Sequence, residues 1–218
     1  PPTPDPRPPA LTHEVAPMSE WRDHGIAGVL LAAGAGRRMG GVSKLLLPHP
    51  ADGQPLVVHA ARGLLALGLV EVVVVLRPDQ PALAADLARL PVRIVYNPAA
   101  AAGQATSLAV GVAALGPDSA AALVALGDTP TVAPAVFAAL LAAYSVHPRP
   151  ITQPVYGAQP GPPTLFARVA WPALADLHGD DGARALIRTH PAWLTRVPLP
   201  AALLPPDIDT PADYAALP

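Results

Sequence analysis

Apolar positions along this chain follow two rhythms in alternation. Ala27 to Ala33 is an unbroken apolar run of the kind a strand buried on both faces requires, and Glu71 to Leu76, Val92 to Tyr96 and Ala121 to Leu126 also read as strands. Between them lie stretches of helical character: Pro55 to Leu67, Gln80 to Leu90, Ala105 to Leu115 and Pro134 to Tyr144. Within the second of these, Leu83, Leu87 and Leu90 recur at helical spacing. Gly68 stands where a C-terminal cap belongs after the first. Strands separated by helices of this length predict an α/β fold, a mostly parallel sheet with helices on both faces. Beyond residue 150 the rhythm loosens. Ile151 to Tyr156 and Pro163 to Phe166 read as short strands around a Gly/Pro turn, Gly157 to Pro162. Helices are predicted at Ala170 to Leu177 and Gly182 to His190, then a strand at Leu194 to Leu199 and a terminal helix from Pro211. In open α/β sheets ligands bind beyond the carboxyl ends of the strands, so those ends are where chemistry is sought.

Composition narrows the picture. Many of the 31 prolines crowd into the opening segment, Pro1 to Pro17, which lacks periodicity. Residues 1–25 are therefore expected to be a disordered tail, and residues 26–218 a single domain. The tail has no charged region followed by an apolar one, so it does not read as a secretory signal. No apolar run reaches membrane-spanning length, and the one around Leu64 to Leu76 is broken by Gly68 and Glu71. A net charge of −2 offers no general attraction to nucleic acid, so a phosphate site has to be local. The absence of cysteine removes disulfides, thiolate chemistry and cysteine-based zinc sites. These features suit a cytoplasmic enzyme.

The stretch from Gly28 to Pro48 carries the strongest chemical signal. An apolar strand breaks into Gly34-Ala35-Gly36-Arg37-Arg38-Met39-Gly40 and reaches Lys44 before a second apolar run, Leu45 to Leu47. Glycines let backbone N–H groups approach phosphate oxygens, and Arg38 and Lys44 can neutralise them. Two commoner phosphate loops are excluded. No Gly-Lys pair exists for a P-loop, and Met39 stands where a dinucleotide fingerprint needs glycine.

Four further segments hold candidate groups. After Asn97-Pro98, the turn Gly103-Gln104-Ala105-Thr106-Ser107 opens a helix and can bind a base edge or phosphate, or simply cap the helix. Asp128, in Leu126-Gly127-Asp128-Thr129-Pro130, ends a buried strand, where a carboxylate pays desolvation unless a cation compensates it; a plain turn is the other reading. Asp207-Ile208-Asp209-Thr210-Pro211 suits a helix start, and Asp207 and Asp209 could share a face of an extended segment. Gly179-Asp180-Asp181-Gly182-Ala183-Arg184 suits an aspartate cap or a helix start near an anion. The seven histidines show neither HExxH nor paired spacing, which argues against a zinc site.

Leu31 to Lys44, LAAGxGxRMG followed by lysine, resembles the signature loop of nucleotidyltransferases that move NMP from an NTP to a phosphorylated acceptor. The segments Gly103 to Leu108, Leu126 to Pro130, Pro154 to Phe166, Gly179 to Arg184 and Asp207 to Tyr214 follow in the family's order. Within that superfamily the chain is most similar to the molybdopterin cytidylyltransferases. The resemblance implies a Rossmann-like three-layer sandwich of the nucleotide-diphospho-sugar transferase type. It implies Arg38 and Lys44 as catalytic groups, and Leu31, Ala32, Ala33, Gly34, Ala35, Gly36, Gly103 and Ser107 around the nucleotide. Asp128 and Asp209 would hold Mg²⁺, with Asp207 the lesser candidate. Tyr156, Gly161, Asp180 and Arg184 would lie on the acceptor side. The implied donor is CTP, because the Leu31-Ala32-Ala33-Gly34 form resembles pyrimidine users. The implied acceptor is molybdopterin, with a molybdoenzyme or its maturation factor as partner. This chain departs from the family pattern at three places: Gln104 for a frequent methionine, Thr129 for glutamine and Pro162 for histidine. The last of these keeps a sugar- or polyol-phosphate acceptor open, beside a non-catalytic cofactor-handling role.

Overall fold

The computed structural model describes residues 24–34, 43–179 and 182–217. The first strand, β1 (Ile26–Leu31), lies at the centre of the sheet, flanked in parallel by β2 (Val72–Leu76) and β4 (Ala121–Leu126). β3 (Arg93–Tyr96) extends the parallel array beyond β2. Burial along β1 and β2 is continuous, as their unbroken apolar sequences require.

Alternation along these buried strands creates two cores. Ile26, Leu30, Val72, Val74 and Leu123 face one side, where α1 (Leu56–Leu65), α2 (Pro81–Leu87) and α4 (Pro134–Val146) pack. Ala27, Val29, Val73, Val75 and Val124 face the other. That side is covered by α3 (Gln104–Ala113), α5 (Trp171–Ala175) and α6 (Arg184–Thr189). Helix α3 approaches the sheet closely at Gly111, where a Cβ would sit 2.5 Å from Val29 Cγ1. The predicted α/β sheet with helices on both faces is thus the observed one.

The sheet changes direction beyond β4. β7 (Thr164–Ala167) pairs antiparallel with β4 and with β5 (Ile151–Tyr156), and β8 (Leu194–Leu199) runs parallel to β5. The order is β3-β2-β1-β4-β7-β5-β6, with β8 on β5. One element departs from the sequence expectation: within the predicted turn, Gln159–Pro160 forms a two-residue strand, β6, against β5. An edge position tolerates the missing amide of Pro160. The second apolar run, after the first loop, begins in a 3₁₀ turn at Lys44–Leu46.

The last segment folds back over the first. Ile208 and Leu217 pack on Leu56, with Leu47 and Tyr214 against them. The closing helix, α7 (Pro211–Ala215), starts with a reciprocal cap: Asp213 N–H donates to Thr210 Oγ1, and the Asp213 carboxylate accepts from Thr210 N–H. Among the described residues no helix is long and apolar enough to cross a membrane. Of the expected proline-rich tail, all but His24 and Gly25 lies outside the described residues.

Candidate active site

Three sequence-distant groups meet beyond the carboxyl ends of β1 and β4. Lys44 Nζ donates to Asp128 Oδ2 at 2.9 Å and to Asp209 Oδ1 at 2.7 Å. Each is delivered by a different local device. Lys44 opens the 3₁₀ turn after the glycine loop, and its side chain is only 13% exposed. Asp128 stands just past β4 in a turn closed by Thr129, whose amide and hydroxyl both donate to Leu126 O. Thr129, in place of the family's glutamine, therefore serves the turn that presents the carboxylate. Gly127, the residue before it, sits against Leu31 O and the side chains of Ala32 and Leu45, with no room to spare for a side chain.

Asp209 arrives from the C-terminal segment, which is tied to the same turn because Ile208 N–H donates to Asp128 O at 3.1 Å. Ile208 is fully buried between two acidic neighbours that stay at the site, as alternation along extended chain requires. Burial alone would lower the Lys44 pKa, but the hydrogen bond to Asp209 and the charge of Asp128 outweigh it and hold the ammonium above its ordinary range. Asp207 is pushed the other way. Desolvation and the charges of Asp128 and Asp209 raise its pKa, partly opposed by Lys44 and Arg184. Among the described residues, the Lys44 ammonium meets the carboxylates of Asp128 and Asp209, and the charges of Lys44 and Arg184 both act on Asp207.

The nucleotide-side residues fall around this centre. Leu31, Ala32 and Ala33 are buried where β1 ends, and Gly34 is exposed beyond them. Gln80 was not singled out in the sequence, yet it holds this loop start. Its Nε2 donates to Ala32 O at 3.3 Å and Gly34 O at 3.5 Å, while its Oε1 accepts from Arg77 N–H. Arg77 adds a contact to Ala33 O at 3.4 Å. The sequence shows only that Gln80 precedes the helical Pro81, which does not reveal the carbonyls it holds. Ala35, Gly36, Arg38 and Asp180 lie outside the described residues.

The second turn has a different internal order from plain capping. Asn97, at the end of β3, donates to Thr106 Oγ1 at 2.8 Å and Ser107 Oγ at 2.9 Å. The Thr106 hydroxyl in turn donates to Gly103 O. Neither hydroxyl caps α3; both are organised by Asn97. Gly103 has φ of 118°, a conformation that favours glycine.

On the remaining side, a cavity of about 370 Å³ opens between β4, β7 and α6. Leu31, Leu108 and Leu126 give it apolar walls, and Gln104, Gln153 and Arg184 bring polar groups to it. Gly161 and Pro162 line it as well. Tyr156 is fully committed nearby: its hydroxyl donates to Pro162 O at 2.6 Å, and burial raises its pKa. Gly182, with φ of 52°, packs on Gln104, whose Oε1 lies 2.8 Å from where a Cβ would stand. Gly179 and Gly182 therefore both sit against the start of α3, where Ala105 N–H donates to Gly179 O. Residues 28–194 match the MobA-like NTP transferase domain.

The chain belongs to that family. It is 36% identical over 177 residues to nicotine blue oxidoreductase of Paenarthrobacter nicotinovorans, a match covering 78% of this chain and 84% of that protein. Among solved structures, Rv0371c of Mycobacterium tuberculosis superposes with a TM-score of 0.75 at 28% identity, covering 88% of this chain and 97% of the other. Rv0371c has also been crystallised with manganese. A nucleotidyl transferase from Methanothermobacter superposes with a TM-score of 0.70 at 25% identity, covering 87% and 94%. As a MobA-like NTP transferase, this protein is a nucleotidyltransferase.

Proposed function

We propose that this MobA-like enzyme transfers CMP from CTP to a phosphorylated acceptor of the molybdopterin type, releasing pyrophosphate. The observation that carries the reading is the Lys44 ammonium held between Asp128 and Asp209 at the strand ends. A cation already sits between two carboxylates, so the donor set suits a hard divalent ion such as Mg²⁺. The manganese complex of Rv0371c supports a divalent metal in this family. Asp128 and Asp209 would hold the ion, which neutralises phosphate oxygens when bound with nucleotide. Lys44, released from the carboxylates, would then stabilise charge on the α-phosphate and the departing pyrophosphate, together with Arg38.

Phosphoryl transfer of this kind relies on alignment and countercharge more than on a protein base. Leu31, Ala32, Ala33, Gly34, Ala35 and Gly36 would cradle the nucleotide, with Gly103 and Ser107 at the base. Small side chains and backbone amides there suit a pyrimidine more closely than a purine. The acceptor would enter from the cavity side, past Tyr156, Gly161, Asp180 and Arg184. A flat heteroaromatic body matches its apolar walls, and Arg184 gives its phosphate a partner. A molybdoenzyme or its maturation factor would receive the product.

A second reading comes from the name of the Paenarthrobacter relative, which denotes a redox activity. One experiment separates the two. The protein is incubated with Mg²⁺, each of four NTPs and either molybdopterin or a sugar phosphate, and pyrophosphate is quantified. Pyrophosphate release that needs both CTP and molybdopterin supports the proposal. Release with a sugar phosphate alone moves the acceptor, and no release with any pair leaves the redox reading in its place.

A further inference from the structure

A second polar cluster lies on the other side of the loop that carries Lys44. The chain leaves the 3₁₀ turn, forms a bridge between Pro48 and Pro55, and enters α1. The excursion between them is closed by His49 N–H to Gln54 O at 2.7 Å and Gly53 N–H to His49 O at 2.8 Å. Gly53, with φ of 68°, makes the turn possible. This closure brings His49 and Asp52 against His59, on the first turns of α1. One ligand atom from each of the three lies within 4.8 Å of the others.

The imidazoles are poorly satisfied for groups so placed. His49 is 3% exposed, and its Nδ1 accepts from Ala51 N–H at 3.2 Å. That tautomer puts a proton on Nε2, which is shut off from solvent and meets no hydrogen-bond partner. His59 Nε2 is 2.8 Å from Asp52 Oδ1, yet it too makes no directed hydrogen bond and is shut off from solvent. Buried polar atoms without partners are rare and call for an explanation. Two of them beside one carboxylate point to a missing shared partner.

We propose that His49, Asp52 and His59 form a binding site for a borderline divalent transition metal of the Zn²⁺ type, separate from the Lys44–Asp128–Asp209 centre. Two imidazoles and one carboxylate favour zinc, cobalt or nickel over magnesium, which prefers oxygen donors. Burial, followed by the neighbouring His59, lowers the basicity of His49, which suits the neutral ring that coordinates metal. Arg62 Nη1 lies 3.3 Å from Asp52 Oδ2, while Oδ1 accepts from Gln54 N–H at 2.9 Å and lies 2.8 Å from His59 Nε2.

In the metal-free protein the two rings are stacked, with centroids 3.9 Å apart and planes at 17°. Coordination to one ion requires them to swing open so that both lone pairs converge, and requires His49 to give up the Ala51 N–H contact, either coordinating through Nδ1 or moving its proton there from Nε2. His59 and Asp52, with side chains 25% and 36% exposed, are the partners free to move and mark the side of entry. The ion would brace the loop between Lys44 and α1, on which the C-terminal segment rests because the Tyr214 hydroxyl donates to Pro48 O.

The full chain, stripped with a chelator, is titrated with Zn²⁺ against a chromophoric competitor, and separately with Co²⁺ followed by visible absorption. The expected result is one equivalent of Zn²⁺ and intense Co²⁺ bands of low coordination number. His59→Gln and Asp52→Asn should each weaken binding by roughly tenfold or more, the scale seen when metal surroundings are cut. His49→Gln risks misfolding, so the two more accessible variants carry the test, with circular dichroism confirming their fold. Asp128→Asn should retain the Zn²⁺ site. Absence of a stoichiometric ion, unchanged affinity in both His59→Gln and Asp52→Asn, or loss of binding in Asp128→Asn would each overturn the proposal. The last would place the ion at the nucleotide centre instead.

Discussion

The two polar clusters that flank the loop from Lys44 to α1 are close in sequence and opposite in design. At the strand ends, an ammonium already compensates two carboxylates through two short hydrogen bonds. Around His49 the rings are stacked, and the buried His49 Nε2 lacks a hydrogen-bond partner. The first cluster is assembled across the whole fold, from the first loop, β4 and the C-terminal segment. The second is local, built by one closed turn and the start of a helix. The contrast teaches that satisfaction, rather than burial, separates a centre waiting to exchange its cation from one lacking a partner. On the proposed reading, Lys44 would hold the carboxylates ready while nucleotide is absent, and an incoming metal–nucleotide complex would displace a charge without exposing one.

The largest effect that would sharpen this comparison is at Lys44. Lys44→Ala should lower nucleotidyl transfer by about a hundred- to a thousand-fold, as loss of one preorganised stabiliser does. The same variant leaves Asp128 and Asp209 facing each other, so its melting temperature should fall and recover on addition of Mg²⁺. Near-normal transfer in that variant would break the assignment, whatever happened to its stability.

Next in size is the metal carboxylate. Asp128→Asn keeps the shape and removes a charge, so Mg²⁺ affinity should drop and excess Mg²⁺ should partly restore transfer. Asp209→Asn should act in the same direction but more mildly, since Asp209 has 46% of its side chain exposed against 32% for Asp128. A reversed ranking, read from Mg²⁺ dependence of the rate, would move the main ligand to the C-terminal segment.

A smaller effect follows from the raised Lys44 pKa. A group whose folded pKa lies above its unfolded value stabilises fully at pH below the unfolded value, here about 10.5, and loses that contribution as pH rises through the folded one. Chemical denaturation of the parent and of Lys44→Met should therefore show a stability gap that is constant near neutrality and narrows only above about pH 10.5. A gap that closes near neutral pH would contradict the geometry of the bridged ammonium.

Smallest is the effect on base choice. CTP should be used in preference to GTP, and Ala33→Gly should relax that preference without abolishing turnover, because a base-edge site rejects the wrong base by leaving buried donors unpaired. Competition between equal CTP and GTP, with products weighed by mass spectrometry, checks it. A parent that prefers GTP would overturn the donor while leaving the Lys44 centre intact.

The sequence disclosed the strand-end cluster far better than the loop cluster, for a physical reason. Buried parallel strands write themselves as unbroken apolar runs, so the ends of β1 and β4, and the residues just beyond them, could be located directly. Asp128 and Lys44 therefore stood at readable places. Asp209 was reached through its motif, and the extended alternation around Ile208 explains why its side chain returns to the site. Gln80 was missed because its role is exercised on backbone carbonyls of a distant segment, which no local pattern encodes. Asn97 was noted only as a strand end, although it organises both hydroxyls of the next turn. The histidines were set aside on spacing alone. His49 and His59 lie too far apart for a helical pair, and only the closed turn from His49 to Gln54 brings them together. Loop closure of that kind depends on turn hydrogen bonds and a positive-φ glycine, which a periodicity argument does not see.

The most direct test of the exchange at Lys44 is CTP binding followed by calorimetry, with and without Mg²⁺, in the parent and in Asp128→Asn. The parent should bind CTP markedly more tightly with Mg²⁺ than without, by about tenfold or more, while Asp128→Asn should lose most of that gain. Equal affinity of the two proteins for Mg²⁺–CTP would contradict the account and leave Asp128 as a residue of the turn after β4.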